Sequence, residues 1–158
     1  MSPRWEESPD VRRGAHVAYN LHVHLVFVTR YRCKVFTPEI LTRCEEIMRD
    51  VCADFEAELK RFNGERDHVH LLVHYPPKVA ISKLVNSLKG VSSRRLRQEF
   101  TYNVNRAIMH GRFWSGSYFA GSCGGAPLAV VKRYIEAQDR PGPQPAGRWG
   151  DSPTGRSR

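Results

Sequence analysis

Nowhere does this chain carry an apolar run approaching the ~20 residues that a bilayer-spanning helix needs, so a helical membrane anchor is not expected. The first stretch, Met1 to Gly14, is polar and charged with no apolar centre, which argues against a secretory leader. Cysteine is scarce, with Cys33, Cys44, Cys52 and Cys123 the only four and no C-x-x-C pair among them. A zinc site built from them is therefore not expected. Cys44 and Cys52 fall on the buried stripe of a predicted helix and read as small reduced core residues, which points to a reducing cytoplasm. Acidic residues are also in short supply: 16 Asp+Glu face 25 Lys+Arg, for a net charge of +9 and a pI near 9.8.

An excess of that size favours a polyanionic partner, most commonly nucleic acid. Simple solubility charge is the plainer alternative. The distribution helps to decide, because Lys83, Lys89, Arg94, Arg95 and Arg97 crowd one predicted helix, and Arg106, Arg112, Lys132 and Arg133 lie in ordered sequence too. The five on the helix are candidate phosphate contacts. A solvated helical face accounts for Arg94, Arg95 and Arg97 equally well. Trp114 and Tyr118 are candidate base stackers, with core packing their more ordinary reading.

At 158 residues and 18.1 kDa the chain fits one domain with a real core. Residues 1–15 read as a loose arm, 16–139 as the folded domain, and 140–158, rich in Pro, Gly and Arg, as a disordered basic tail. Tyr19 to Thr29 is nearly continuous apolar sequence and reads as a central strand. Thr37-Pro38 opens a helix by capping logic, and an apolar series from Ile40 through Phe55 and Leu59 repeats at helical spacing. A strand begins around Leu59 to Phe62, turns near Asn63-Gly64 or Glu65-Arg66, and leads to a second that ends at Pro76-Pro77.

The next helix runs from about Val79 to Phe100, with Gly90 and Ser92-Ser93 as places for a bend or break. Phe113-Trp114 and Tyr118-Phe119-Ala120 suggest a short strand pair or a strand with a turn. Gly124-Gly125 then marks a turn into a last helix starting at Pro127. The order β-α-β-β-α-β-α implies an α+β sandwich, an antiparallel sheet with helices packed on one side.

The chemistry concentrates in Asp67-His68-Val69-His70-Leu71-Leu72-Val73. Strand side chains alternate, so His68 and His70 share a face while Val69 and Leu71 point into a core. Two imidazoles on one rigid strand form a divalent-metal half-site, although a partly buried histidine pair is the commoner meaning of the pattern. Asp67 either orients one of these ligands or forms the turn. In the last helix Leu128, Val131 and Ile135 make the apolar stripe, while Tyr134 and Gln138, four apart, share another edge. Such an edge presents a phenol and an amide oxygen together; a boundary aromatic and a solvated glutamine are the bland alternative. A second His-x-His, His22 and His24, lies on the first long strand, and His74 is a structural or phosphate-contacting residue.

Several blocks occur in order: Leu25-Val26-Phe27-Val28-Thr29-Arg30-Tyr31-Arg32, Phe62-Asn63-Gly64, Asp67 to Val73, Ser82 to Gly90, Tyr118 to Gly125, and Tyr134-Ile135-Glu136-Ala137-Gln138. Together they resemble the single-tyrosine HUH transposases (TnpA type) of the smallest bacterial insertion sequences and their REP-associated tyrosine transposase relatives. The resemblance spans roughly Tyr19 to Gln138. It implies a ferredoxin-like (RRM-like) antiparallel sheet, with the histidine pair on a central strand and a C-terminal helix carrying the nucleophile.

Position by position, the resemblance makes His68 and His70 metal ligands, Gln138 the third ligand and Tyr134 the catalytic nucleophile; the histidine matching His24 is not a ligand. It implies Mg²⁺ or Mn²⁺, single-stranded DNA with imperfect hairpins as partner, and a homodimer whose active sites join one subunit's histidines to the other's tyrosine helix. The expected setting is the bacterial cytoplasm, in association with the nucleoid. One departure is Gly116, where such proteins usually have proline in Trp-Ser-Pro-Ser-Tyr-Phe.

The chemistry implied is DNA strand cleavage and rejoining through a 5′-phosphotyrosine. An ordinary phenol, with a pKa of about 10, needs activation to attack phosphorus at neutral pH. The alternatives are a non-catalytic single-strand binding or regulatory module on the same sheet, and a domesticated relative acting on genomic palindromes.

Overall fold

The structure, a computed structural model, describes residues 12–13, 17–108, 111–122 and 128–138. Nearly all of the expected arm and the whole of the expected tail, together with Cys123 and the Gly124-Gly125 turn, lie outside the described residues. Arg12–Arg13 (β1) and Ala18–Tyr19 (β2) form a small antiparallel pair ahead of the main sheet. That sheet is built from His22–Val28 (β3), Glu58–Gly64 (β4), His68–His74 (β5) and Phe119–Ser122 (β6), in the order β4-β5-β3-β6, antiparallel throughout. With helices Pro38–Asp54 (α1) and Ile81–Glu99 (α2) as crossovers, this is the split βαβ arrangement of ferredoxin-like folds. A short helix, Thr101–Ala107 (α3), follows α2, and Leu128–Ala137 (α4) comes last.

Side-chain alternation divides the sheet into two faces. Val23, Leu25 and Phe27 of β3, Leu59 of β4, and Val69, Leu71 and Val73 of β5 pack under α1 and α2 in the main core. The opposite face carries Val26 and Val28, which are fully buried against Ile135 of α4 with Phe119 and Tyr134 beside them. The two crossover helices thus share one face, and α4 lies on the other, the face to which His24, His68 and His70 also belong.

The boundaries follow local chemistry. Thr37 caps α1 by accepting a hydrogen bond from the Ile40 amide at 3.2 Å, with Pro38 at the first helical position. The apolar periodicity suggested a helix reaching Leu59, but α1 ends at Asp54, and Glu56 takes a left-handed φ of +59° that turns the chain into β4. Leu59 still points into the core, now from a strand. Through Gly90 and Ser92 the second helix runs unbroken. Ser92 is buried there and accepts the indole N–H of Trp114, while the space around Gly90 is open.

Phe113-Trp114 and Phe119-Ala120 do not pair with each other. Trp114 bridges Thr29 and β6 pairs with β3, so both attach to the same strand or its end. Cys33, Cys44 and Cys52 are buried and unbonded to one another, and burial holds the Cys52 thiol up at about 12. Among the described residues no helix is long and apolar enough to cross a membrane.

Candidate functional site

β5 is an interior strand, paired on both sides, so the two histidines it carries are held by hydrogen bonds to β3 and β4. His68 is buried and His70 half-buried, and their ring centroids are 5.0 Å apart. His68 Nδ1 lies 2.8 Å from Asp67 Oδ1, and the other oxygen of the same carboxylate accepts from Arg32 Nε at 3.0 Å. Burial works to raise the Asp67 pKa, but the hydrogen bonds from His68 and Arg32 hold it at about 2. A permanently ionised acceptor places the His68 proton on Nδ1 and leaves Nε2 as the lone pair.

The segment supplying Arg32 is strained, with Tyr31 and Arg32 at φ of +59° and +54°. Buried Thr29 holds it in place, its hydroxyl 2.7 Å from the Cys33 carbonyl and 3.1 Å from that of Asp67.

His70 Nδ1 is 3.3 Å from His24 Nε2, with the rings nearly parallel at 5.4 Å. Burial, and then the charges of His68 and His24, push His70 down to about 4; burial lowers His24 as well. His70 is therefore neutral at physiological pH, the state a metal ligand requires. His22 stacks on His74 at 4.2 Å instead, with Tyr19 edge-on to His74 at 5.4 Å. His22 and His24 are thus split between different partners, and His74 is a buried packing residue.

Tyr134 of α4 and Gln138, the first residue beyond that helix, are brought together. The Tyr134 phenol lies 2.8 Å from Ser117 Oγ, and its ring packs on Phe119 at 5.9 Å. Burial pushes this phenol up, opposed by the Ser117 hydrogen bond. Gln138 Oε1 accepts from Ser115 Oγ at 2.8 Å and from Ser117 Oγ at 3.4 Å. The serine loop is anchored to β3 by the Ser115 amide, which donates to the Val28 carbonyl at 2.7 Å. Val28 is also the register partner of His68 on the other side. His68 and Ser115 thus flank one residue of β3, about two strand spacings, roughly 10 Å, apart. No hydrogen bond joins the histidine pair to Tyr134 or Gln138 among the described residues. The link between them is a row of ring contacts from His70 through His24 and Phe119 to Tyr134.

These donors fit a divalent ion. The two rings share one face of the strand with centroids 5.0 Å apart, so both would be near enough to hold one ion. Both Nδ1 atoms are engaged, and neither Nε2 has a hydrogen-bond partner among the described residues. Among those residues no three His, Cys, Asp or Glu side chains converge as a ligand set. The two imidazoles supply two donors, and an ion held there would need further donors beyond them.

The basic residues divide by location. Lys83 and Arg94 are exposed, and Arg95 makes a long 3.9 Å contact with Glu99. Lys89 turns inward. Its ammonium donates to the Ser115 and Ser117 carbonyls, both at 2.8 Å, above the rings of Phe27 and Tyr118, and burial with the nearby Arg112 charge lowers it to about 8. Arg97 donates to Asn105 Oδ1 and to the carbonyls of Ile108 and Gly111, tying down the chain after α3. Trp114 is core, and Tyr118 packs against the core.

Other residues appear only in three dimensions. Arg30, Tyr31, Arg112, Ser115 and Gln138 border a cleft of about 550 Å³, while Arg61, Asn63, His24 and His70 border another of about 510 Å³. Their arginines are scattered along the chain and form no cluster that sequence could reveal.

Comparison with known proteins bears on the same region. A family model described as IS200-like transposase matches residues 17–138. The ISDra2 transposase TnpA of Deinococcus radiodurans is 30% identical over 129 residues, covering 82% of this chain and 91% of that protein. The transposase for insertion sequence element IS200 of Salmonella typhimurium is 30% identical over 151 residues, covering 93% and 98%. The crystal structure of a candidate transposase from Deinococcus radiodurans superposes with a TM-score of 0.71 at 30% identity, over 80% of this chain and 97% of that one.

Proposed function

Because this chain belongs to the IS200-like transposase family, we propose that it cleaves and rejoins single-stranded DNA through a covalent tyrosine intermediate, with Tyr134 as nucleophile and His68, His70 and Gln138 as ligands of one Mg²⁺ or Mn²⁺. One observation carries the reading: two imidazoles on one face of an interior strand, each with Nδ1 in contact with a neighbour and Nε2 without a hydrogen-bond partner among the described residues. When bound, the ion neutralises charge on the scissile phosphate as a Lewis acid.

The chain's own residues do the rest. The Tyr134 oxygen attacks phosphorus, the bond from phosphorus to the 3′-oxygen breaks, and a 5′-phosphotyrosine forms. The phenol gives up its proton to solvent as it attacks, Ser117 Oγ stabilises the developing phenolate through the hydrogen bond it already makes, and the 3′-oxygen takes up a proton from water and leaves as a hydroxyl. One phosphate ester replaces another, so a different 3′-hydroxyl reverses the step without ATP.

The substrate is single-stranded DNA carrying imperfect hairpins, met on the nucleoid in the bacterial cytoplasm. Lys83, Arg94 and Arg95 contact its phosphates, while Lys89 and Arg97 act through the loops they hold. The active unit is a homodimer with composite sites.

The test is a labelled hairpin strand incubated with protein and Mn²⁺, then denatured. Wild type yields a covalent adduct, and Tyr134→Phe yields none while binding the hairpin as before. Mixing His68→Ala with Tyr134→Phe subunits restores the adduct if the sites are composite. A non-catalytic hairpin-binding module is the competing reading, favoured by one observation: Tyr134 and Gln138 hydrogen-bond to their own chain's serines and not to the histidine pair. No adduct at concentrations that saturate binding would establish it.

A further inference from the structure

We propose that His24 is a positioning residue for His70, accepting the His70 Nδ1 proton and so fixing the tautomer that offers His70 Nε2 to a divalent ion. The inference rests on the metal-site reading above and deepens it.

The argument begins with the 3.3 Å separation between His24 Nε2 and His70 Nδ1. Between two neutral imidazoles that contact holds one proton, and there are two ways to place it. If His24 donates, His70 carries its proton on Nε2 and has no lone pair to offer there. If His70 donates, its Nε2 is free and the His24 proton sits on Nδ1. Only the second arrangement ligates.

The two strand histidines are thereby supported differently. His68 faces a carboxylate, which accepts and never donates, so its tautomer is decided in advance. His70 faces a ring that can play either part, so its tautomer depends on which nitrogen of His24 carries the proton. The His24 ring is itself fixed: Phe119 stands edge-on to it at 6.2 Å and 74°, and its backbone is in register with Leu72 of β5 and Gly121 of β6. An outer partner so held orients its ligand in the same way as the carboxylates and carbonyls that usually do this work.

The test uses the full chain and Mn²⁺ alone, with affinity read by electron paramagnetic resonance. His24→Leu removes the acceptor and weakens Mn²⁺ binding about 10–100-fold, the range typical of lost outer-shell partners. His24→Gln, whose amide oxygen can accept, restores most of it. A folded His24→Leu that binds Mn²⁺ as tightly as wild type overturns the proposal. Should His24→Leu fail to fold, ¹⁵N spectra of the ring nitrogens of the metal-free wild type decide: a protonated Nδ1 on His70 supports it, and a protonated Nε2 overturns it. Failure of the underlying reading looks different, because His68→Ala and His70→Ala would then also bind Mn²⁺ like wild type.

Discussion

Ser117 Oγ and the phenol oxygen of Tyr134 lie 2.8 Å apart, joining the loop before β6 to the exposed edge of α4. The loop is held from beneath, since Lys89 grips the carbonyls of both Ser115 and Ser117. Burial raises the Tyr134 pKa and this hydrogen bond opposes the rise. Ser117→Ala should therefore move the phenol further up, seen as a shift of one tyrosinate in an ultraviolet difference titration. Adduct formation should slow by up to about tenfold, the equivalent of one net hydrogen bond of ~0.5–1.5 kcal/mol. A variant with the wild-type titration curve would mean that the serine does not influence the phenol.

A second prediction concerns acid. His70 titrates near 4 in the fold, against about 6.5 for a free imidazole, and His24 is lowered too. The unfolded chain thus takes up protons at a pH where the folded chain does not, so stability is complete above about 6.5 and is lost as the pH falls toward 4. Asp67, held at about 2, keeps its stabilising ionisation until lower pH still. Thermal midpoints of the metal-free protein should fall between pH 6.5 and 4, and His70→Gln should fall less steeply. Equal slopes in the two proteins would remove His70 from the account.

The third concerns DNA affinity. Phosphate contacts release counterions, so each lost contact reduces the slope of log affinity against log salt by roughly one. Lys83→Gln and Arg94→Gln should do this on hairpin DNA. Lys89→Met should leave the slope intact and instead loosen the serine loop, read as faster amide exchange at Ser115 and Ser117. A reduced slope in Lys89→Met would place its ammonium on the DNA.

How much of this could be read from sequence follows from the range of each interaction. Strand alternation put His68 and His70 on one face, and the Thr37-Pro38 cap fixed the start of α1, because both are local rules. The end of α1 was less legible, since Leu59 keeps a helical phase with Val51 and Phe55 although the chain turns at Glu56. Lys89 shows the harder limit. On a helix otherwise dotted with cations it looked like another phosphate contact, and only the tertiary position of Ser115 and Ser117, 26 and 28 residues on, turns it inward. The His24–His70 contact is also non-local, spanning 46 residues through strand pairing.

Gly64 tests whether the sheet positions the histidines. A Cβ there would sit 2.7 Å from Leu41 Cδ2, 3.0 Å from the His68 carbonyl oxygen and 3.1 Å from Val69 Cγ1. The leucine can rotate away, but the backbone oxygen belongs to the strand that carries both imidazoles. Gly64→Ala should destabilise the protein by about 1–3 kcal/mol, the usual consequence of overpacking, and weaken Mn²⁺ binding in the same variant. Lost stability with unchanged Mn²⁺ affinity would uncouple the strand's backbone from the site.

Gly116 calls for the opposite outcome. It lies between the two serines that hold Gln138 and Tyr134, its φ is outside the left-handed region, and a Cβ would meet only Arg112 Nη1, at 3.3 Å. That atom is the end of a flexible side chain and can yield a few tenths of an ångström. Gly116→Ala removes backbone freedom from the unfolded chain without straining the folded one, so it should stabilise by about 0.4–1 kcal/mol. Adduct yield should stay at the wild-type level, because neither serine moves. A lower denaturant midpoint would show that Arg112 cannot give way, and unchanged stability with lost adduct would show that the loop must flex for Tyr134 to attack.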